Sequence, residues 1–162
     1  MEINELEIIE KIHKVFKSKK LKLSIAESCT AGFISHLVTL LPGASEFFEA
    51  SIICYSFRSK KKLLGIKESL LKKHGAVSEE TAKAMAEAVR LKTKTDFGLA
   101  ITGNLGPATI EGKKVGLVFI AVAFDAGTES KGMIFDGSRD EIKHAASMSA
   151  LEFLHEVIST WT

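Results

Sequence analysis

Apolar residues recur at every third or fourth position in three long stretches of the chain, and this spacing predicts amphipathic helices. The stretches cover residues 3–16, 78–94 and 139–158. Ser78 is a suitable N-cap for the second of them, and Glu79 and Glu80 lie where they would stabilise the positive end of the helix dipole. Three shorter helices are predicted over residues 30–41, 58–64 and 67–74, each ended by a glycine or by Pro42-Gly43.

Between the helical stretches, short runs rich in apolar, β-branched and aromatic residues predict strands. They cover residues 21–25, 51–57, 97–102, 115–124 and 131–135, and the last two form a hairpin across residues 125–128. Alternating helices and strands are typical of a sheet covered by helices on both faces, and a late hairpin adds antiparallel strands. The sequence therefore predicts an α/β fold, a three-layer α/β/α sandwich with a mixed sheet, as one domain over residues 1–162.

Composition and charge narrow the class of protein. Hydrophobic residues occupy 46% of the 162 positions and charged residues 26%, as in ordinary globular proteins. The net charge of +2 favours neither nucleic acid nor an anionic membrane as a partner. Two cysteines without metal-ligand spacing, an acidic first decapeptide unlike a secretory signal, and the absence of an apolar run of transmembrane length together predict a cytoplasmic protein.

Three loops are predicted to meet beyond the carboxyl ends of the strands, where α/β proteins bind their ligands. They cover residues 27–30, 55–60 and 102–107. The first offers the hydroxyl of Ser28 ahead of a helix, whose free N–H groups and dipole favour an anion. The second offers the phenol of Tyr55 and ammonium groups at residues 60–62, and the third offers the hydroxyl of Thr102 beside glycines that let a ligand approach the backbone.

A serine, a lysine and a tyrosine in one cleft can form a nucleophile system without histidine. The lysine, with its pKa lowered by its surroundings, takes the serine proton, and the tyrosine relays or orients it. Amide or ester hydrolysis is then the natural reaction class. Simpler roles are also open at each position, because Ser28 can cap a helix, Tyr55 can end a buried strand, and a lysine run is usually a solvated helix face. The residues alone do not decide which of Lys60, Lys61 and Lys62 points inward.

Cys29 is an alternative nucleophile, because a thiol near a helix N-terminus can be activated. A catalytic thiol usually works with a histidine, and the five histidines lie on helix-like segments away from the three loops, so Cys29 is predicted to be a packing residue. The same scatter predicts no metal site, and residues 103–106 match neither of the common glycine-rich nucleotide motifs. No cofactor is predicted.

Nine short motifs occur in order along nearly the whole chain. They are A-E-S-C-T-A-G (26–32), L-P-G-A-S-E-F-F (41–48), Y-S with Lys60 (55–60), L-L-G-I (63–66), H-G-A-V-S-E-E-T-A (74–82), A-M-A-E (84–87), I-T-G-N-L-G-P (101–107), V-G-L-V-F-I-A-V-A (115–123) and F-D-G-S-R (135–139). In these motifs the chain resembles the carboxy-terminal domain of the competence-damage-inducible CinA family, which also occurs alone as a nicotinamide mononucleotide deamidase.

The resemblance implies an amidohydrolase that converts nicotinamide mononucleotide to nicotinic acid mononucleotide and ammonia without a metal. It also implies a nucleotide as the small-molecule partner, and a homodimer. By the same resemblance, Ser28 is the expected nucleophile, Lys60 its base, Tyr55 the group that relays or orients the proton, and Thr102 a residue that holds the reacting amide.

Six further residues are expected to bind the substrate. Backbone N–H groups near Cys29 and Thr30 are the candidates for an oxyanion hole, and the phosphate of the nucleotide needs a cation or an anion nest. The expected substrate-binding residues are Cys29, Thr30, Gly103, Gly106, Arg139 and Lys143.

The chain departs from the usual family pattern at several positions. Ala31 replaces a glycine, Lys143 replaces an arginine, residues 104–105 replace small or apolar ones, and residues 108–110 stand where glycines are usual. Side chains in this third loop would narrow the pocket or change its substrate. The alternative function is therefore a catalytically silent nucleotide-binding or interaction module of the same fold, and nucleic-acid binding through the basic runs is a weaker one.

Overall fold

The core of the fold is a five-stranded mixed sheet in the order β2-β1-β3-β4-β5. The computed structural model describes residues 5–161, so Ile3, the first apolar position of the predicted N-terminal helix, lies outside the described residues. The strands are β1 Leu23–Glu27, β2 Phe48–Ile53, β3 Phe97–Gly103, β4 Leu117–Phe124 and β5 Gly127–Ile134. The helices are α1 Glu5–Lys19, α2 Phe33–Val38, α3 Phe57–Leu64, α4 Glu68–His74, α5 Glu79–Thr93 and α6 Arg139–Thr160, with a 3₁₀ turn at Ala44–Glu46.

Strand direction places the three predicted loops along one edge of the sheet. β1 pairs in parallel with both β2 and β3, so that Ile25 lies opposite Ser51 on one side and Leu99 on the other. β4 runs antiparallel to β3, and β5 runs antiparallel to β4. The carboxyl ends of β1, β2 and β3 therefore lie side by side, and the residues that follow them share one region.

The two faces of the sheet carry side chains of different size, and different helices cover them. Large aliphatic residues face α1, α2 and α6, whereas alanines face α5, which is flanked by α3 and α4. The alanine face lets α5 lie very close to β3. The closeness is seen at Gly98 of β3, where an added Cβ would come within 2.3 Å of the carbonyl oxygen of Ala86 in α5. The predicted three-layer α/β/α sandwich with a mixed sheet is confirmed. Within residues 5–161, every helix is too short or too polar to span a bilayer.

The predicted helix over residues 30–41 is much shorter in the structure, where α2 covers only Phe33–Val38. Ala31 and Gly32 precede it with φ of 50° and 99°, in the left-handed region that an α-helix excludes. Ser28 therefore lies in a turn between β1 and α2 and not at a helix N-terminus. This corrects the expectation that a helix dipole acts directly on its hydroxyl.

Several strand boundaries also differ from the prediction, two of them by four residues. β2 ends at Ile53 instead of continuing to residue 57, because Ser56 and Ser59 form a reciprocal capping box that begins α3 at Phe57. β5 begins at Gly127, four residues before its predicted start, and its polar positions pair with β4 along the whole strand. Backbone pairing with β4 extends β5 where the apolar pattern gives no signal.

Candidate active site

A cavity of about 230 Å³ opens at the carboxyl ends of β1, β2 and β3. All three predicted loops contribute to its wall, together with residues that no motif or pattern in the sequence places in a site. The lining residues are Ser28, Cys29, Tyr55, Phe57, Lys60, Ala76, Val77, Thr102, Gly103, Leu105, Ile110, Glu111 and Arg139.

The hydroxyl of Ser28 and the amine of Lys60 meet inside this cavity. The Oγ atom of Ser28 lies 2.7 Å from the Nζ atom of Lys60. Lys60 is only 1% exposed, and its Nζ also donates to the carbonyl oxygens of Cys54 at 2.9 Å and Tyr55 at 3.3 Å. These two carbonyls follow the end of β2 directly, so the strand end and the first turns of α3 hold the amine against the residue that follows β1.

The surroundings of Lys60 destabilise its charged form relative to a lysine in water. Burial lowers the pKa of its amine below the ordinary 10.5, and across residues 5–161 no carboxylate forms an ion pair with it. The nearby Cys54, Cys29 and Glu111 act in the opposite direction, more weakly than burial. A neutral lysine amine has a lone pair, which is the property a base requires.

The structure distinguishes the three lysines that the residues alone left open. Lys60 points into the cavity, whereas Lys61 forms an ion pair with Glu68 on the exposed side of α3 and Lys62 is exposed. The start of α3 at Phe57 sets this orientation, because it determines which position of the helix faces β1.

Glu27, the last residue of β1, holds the turn that carries Ser28. Its carboxylate is fully buried and accepts four hydrogen bonds, from the hydroxyls of Thr30 and Ser35 and from the backbone N–H groups of Ile34 and Ser35. It thereby occupies the first N–H groups of α2, which are then not available to a ligand. Glutamate is unusual at the end of a buried strand. This is the one feature of the sequence that could have indicated that Glu27 anchors the turn.

The two cysteines are buried and stay protonated at neutral pH. Burial raises the pKa of Cys29 to about 12 and that of Cys54 to about 11. Because the thiolate is the reactive form of cysteine, Cys29 is poorly suited to act as the nucleophile although it lines the cavity. The backbone N–H of Cys29 can still bind a ligand, because it does not depend on the protonation state of the thiol. Within residues 5–161, the N–H groups of Cys29 and Thr30 donate to no other residue.

Tyr55 and Arg139 form the exposed side of the cavity. The guanidinium of Arg139 donates to the phenolic oxygen of Tyr55 at 2.8 Å and to the carbonyl oxygen of Gly106 at 2.5 Å. Tyr55 is 55% exposed, and its hydroxyl contacts Arg139 rather than Ser28 or Lys60. The oxygen of Tyr55 accepts from Arg139, so its O–H remains able to donate to a bound molecule.

Thr102 lies at the back of the cavity and is almost fully buried. Its hydroxyl donates to the carbonyl oxygen of Ala76 at 2.7 Å. The carboxylate of Glu111 accepts from the N–H groups of Ala76 at 2.9 Å and Val77 at 3.3 Å. The apolar pattern of the sequence does not predict Ala76, Val77 or Glu111 as parts of the site, because their contacts join loops that are far apart along the chain.

The other expected substrate-binding residues differ in their positions. Gly103 lines the cavity, and a Cβ there would lie 2.7 Å from Cγ2 of Val118, so its glycine is needed for packing against β4. Gly106 does not line the cavity but holds Arg139 through its carbonyl. The side chain of Thr30 turns away to Glu27, and Lys143 lies outside the cavity wall, one turn along α6 from Arg139.

Within the described part of the chain, no group of three histidine, cysteine, aspartate or glutamate residues is arranged to hold a metal ion.

Comparison with known families agrees with this architecture. Residues 5–158 match the family described as the CinA C-terminal domain. The chain is 46% identical over 141 residues to a putative competence-damage inducible protein of Caldicellulosiruptor bescii, covering 86% of this chain and 34% of that protein. It is 42% identical over 147 residues to a CinA-like protein of Geobacter metallireducens, covering 88% and 35%. The chain thus spans about a third of the length of these curated relatives.

Solved structures show the same fold. The competence damage-inducible protein A (ComA) of Klebsiella pneumoniae superposes with a TM-score of 0.96 at 27% identity, covering 99% of this chain and 100% of that one. The competence/damage inducible protein CihA of Agrobacterium tumefaciens superposes with a TM-score of 0.91 at 31% identity and 99% coverage of both chains.

Proposed function

Because the chain belongs to the CinA C-terminal domain family, we propose that it is an amidohydrolase that converts nicotinamide mononucleotide to nicotinic acid mononucleotide and ammonia, a step of pyridine nucleotide recycling. One observation carries the proposal. The Ser28 hydroxyl lies 2.7 Å from a buried lysine amine whose pKa is lowered by that burial, inside a cavity open to a small molecule.

The hydrogen bonds of Lys60 explain how it would act as the base. A neutral amine has two N–H groups and one lone pair. The protonated amine donates its third N–H to Ser28 Oγ. When Lys60 is neutral, the carbonyls of Cys54 and Tyr55 still accept its two N–H groups, and the lone pair takes the place of that third donor and accepts the Ser28 proton. Ser28 Oγ then attacks the carboxamide carbon, and the protonated Lys60 returns the proton to the leaving nitrogen. Ammonia departs, and water hydrolyses the acyl-serine ester by the same proton transfers in reverse order.

The negative charge that forms on the carboxamide oxygen needs donors in the same place. The backbone N–H groups of Cys29 and Thr30 follow Ser28 directly and donate to no other described residue, so we assign them to the oxyanion. Arg139 keeps unused N–H donors beside Tyr55, and we assign it to the phosphate, with Lys143 contributing charge from the next turn of α6.

An ammonia-release assay with three variants tests the proposal. Ser28→Ala and Lys60→Ala should each lower kcat/KM for nicotinamide mononucleotide by about 10³-fold or more, because each removes one partner of the proton transfer. Cys29→Ala should stay within about threefold of the unchanged protein, since its thiol is protonated and only its N–H is needed. Ammonia release that survives Ser28→Ala would contradict the mechanism. Saturable binding of the nucleotide without any ammonia would instead identify a silent binding module.

A further inference from the structure

The cavity has a buried inner end and an apolar rim. Ser28 and Lys60 form the inner end and are only 6% and 1% exposed. Phe57 and Ile110 line the same cavity but are 38% and 48% exposed, so these two side chains lie towards its mouth. A molecule that reaches the Ser28 hydroxyl from solvent must therefore pass Phe57 and Ile110.

The cavity is too small to enclose a whole nucleotide. Its volume of about 230 Å³ lies below the roughly 300–1,000 Å³ that is usual for small-molecule sites. It can enclose only the part of a ligand that carries the reacting group, while the rest of the ligand extends past the rim. In the proposed substrate, the enclosed part is a flat heteroaromatic ring, whose faces pack well against apolar side chains.

A tight turn in the loop between β3 and β4 carries Ile110. The N–H of Lys113 donates to the carbonyl of Ile110 at 2.8 Å, and the two residues between them, Glu111 and Gly112, have φ of 55° and 69°. Two left-handed residues in succession are typical of a type I′ turn. A left-handed φ is unfavourable for glutamate, and such a conformation persists only where surrounding contacts hold it.

The carboxylate of Glu111 makes these contacts. It accepts the N–H of Ala76 at 2.9 Å and that of Val77 at 3.3 Å, in the connection between α4 and α5. Gly75 leaves room for it, since a Cβ there would lie 2.3 Å from Oε2 of Glu111. Glu111 thus joins the tip of the loop to another part of the cavity wall, and the adjacent Ile110 is held at the mouth.

Asn104 fixes the base of the same loop. Its side chain accepts the N–H of Gly106 at 2.9 Å and donates to the carbonyl of Lys113 at 3.3 Å. Because the loop is held at both its base and its tip, Ile110 has little freedom to move aside for a larger group.

We propose that Ile110 is a specificity-determining residue, which together with Phe57 admits a flat aromatic ring to Ser28 and excludes a ring that carries an extra substituent. Glu111 is the positioning residue that holds Ile110 at the rim. The inference rests on the proposed function, since it concerns the ring of the substrate that the same site hydrolyses. A single methyl group is a suitable probe, because one methylene in an apolar pocket changes kcat/KM about 10- to 200-fold.

The test compares nicotinamide mononucleotide with its analogue that carries a methyl group on ring carbon 5, away from the carboxamide. Ammonia release gives kcat/KM for each, and the unaltered protein should prefer the unmethylated substrate by about tenfold or more. Ile110→Gly should reduce this preference to within about threefold, chiefly by raising the value for the analogue, and Phe57→Ala should change it in the same direction. Thr109→Gly is the control, because it adds the same backbone freedom at an exposed position that does not line the cavity, and it should leave the preference unchanged.

Hydrogen exchange tests the positioning role of Glu111 without turnover. The N–H groups of Ala76 and Val77 should exchange about tenfold faster in Glu111→Ala than in the unaltered protein, because both lose their acceptor. Glu111→Gln keeps one acceptor oxygen and should retain part of this protection. Glu111→Ala should also weaken the preference for the unmethylated substrate, since Ile110 is then free to move.

The outcomes separate the two proposals. An unaltered protein that hydrolyses neither substrate would overturn the proposed function and this inference with it. If the unaltered protein and Ile110→Gly show the same preference, or if Thr109→Gly loses it to the same extent as Ile110→Gly, the role of Ile110 is overturned while the hydrolase activity stands. Unchanged exchange of Ala76 and Val77 in Glu111→Ala would overturn the positioning role of Glu111.

Discussion

At the scale of single residues, the buried amine of Lys60 links its proposed role as a base to the stability of the fold. Its pKa is lowered in the folded protein by burial. Between that lowered value and the ordinary 10.5, the unfolded chain binds a proton that the folded protein does not, so the free energy of unfolding rises with pH across this window. Below the window both states carry the proton, and the full unfavourable effect of burying the charge is present.

Lys60→Met removes this titration and makes it measurable. The free energy of unfolding of the unaltered protein should increase relative to that of Lys60→Met as the pH rises from the lowered pKa towards 10.5, with a limiting slope of about 1.4 kcal/mol per pH unit for one proton. Urea unfolding at several pH values measures it. Lys62→Met, at an exposed position of the same helix, should give a curve parallel to that of the unaltered protein. A Lys60→Met curve that is also parallel would contradict the buried-amine interpretation.

At the scale of elements, the β1–α2 connection depends on Glu27. Glu27→Ala removes the acceptor of four hydrogen bonds and leaves two backbone N–H groups of α2 unpaired. We expect it to lower the free energy of unfolding by about 3 kcal/mol, and to lower kcat/KM as well, because the turn that carries Ser28 loses its anchor. Thermal and urea unfolding measure the first effect. Glu49→Ala, at an exposed position of β2, should stay within about 0.5 kcal/mol, and equal costs for both would contradict the anchoring role.

The same connection shows where sequence patterns stop being informative. The apolar periodicity of residues 30–41 predicts a helix throughout, yet α2 begins only at Phe33, because the left-handed Ala31 and Gly32 and the buried Glu27 carboxylate decide its start. Those contacts are tertiary, and periodicity does not report them. The long helices α1, α5 and α6 follow their patterns closely because most of their stability comes from burying one apolar face.

The candidate site was predictable to a similar degree. Motif resemblance led to Ser28, Tyr55, Lys60 and Thr102, and all four line one cavity. The link from Thr102 to Glu111 could not be predicted, because it passes through the backbone of Ala76 and Val77, and backbone contacts leave no mark on residue identity. The catalytic and binding roles of these residues stay predictions until activity is measured.

At the scale of the whole molecule, the close approach of α5 to the sheet depends on Gly98. A Cβ at this position would lie 2.3 Å from the carbonyl oxygen of Ala86 and 2.8 Å from Cβ of Arg90. Gly98→Ala should therefore lower the free energy of unfolding by about 3 kcal/mol, because the backbone of α5 must move away from β3. Gly65→Ala has no atom within 4 Å of the new Cβ, and its left-handed φ of 72° limits the cost to about 1 kcal/mol. Urea unfolding of both variants compares them, and equal losses would contradict the packing argument.

The implied homodimer and cytoplasmic location also belong to this scale and stay predictions.

Ser28 and Lys60 are positioned by strands of different kinds: Ser28 follows an interior strand, and Lys60 is held at the end of an edge strand. Ser28 follows β1, which has neighbours on both sides, whereas the carbonyls that hold Lys60 follow β2, which pairs only with β1 in the described residues. Edge strands open more readily than interior strands. Mild denaturation should therefore separate the Ser28 hydroxyl from the Lys60 amine while the rest of the sheet remains folded. Catalytic activity should vanish at a lower urea concentration than the far-ultraviolet circular dichroism signal, and amide exchange should be faster in β2 than in β3. Coincident loss of both signals would mean that the proposed activity is lost only when the whole fold unfolds.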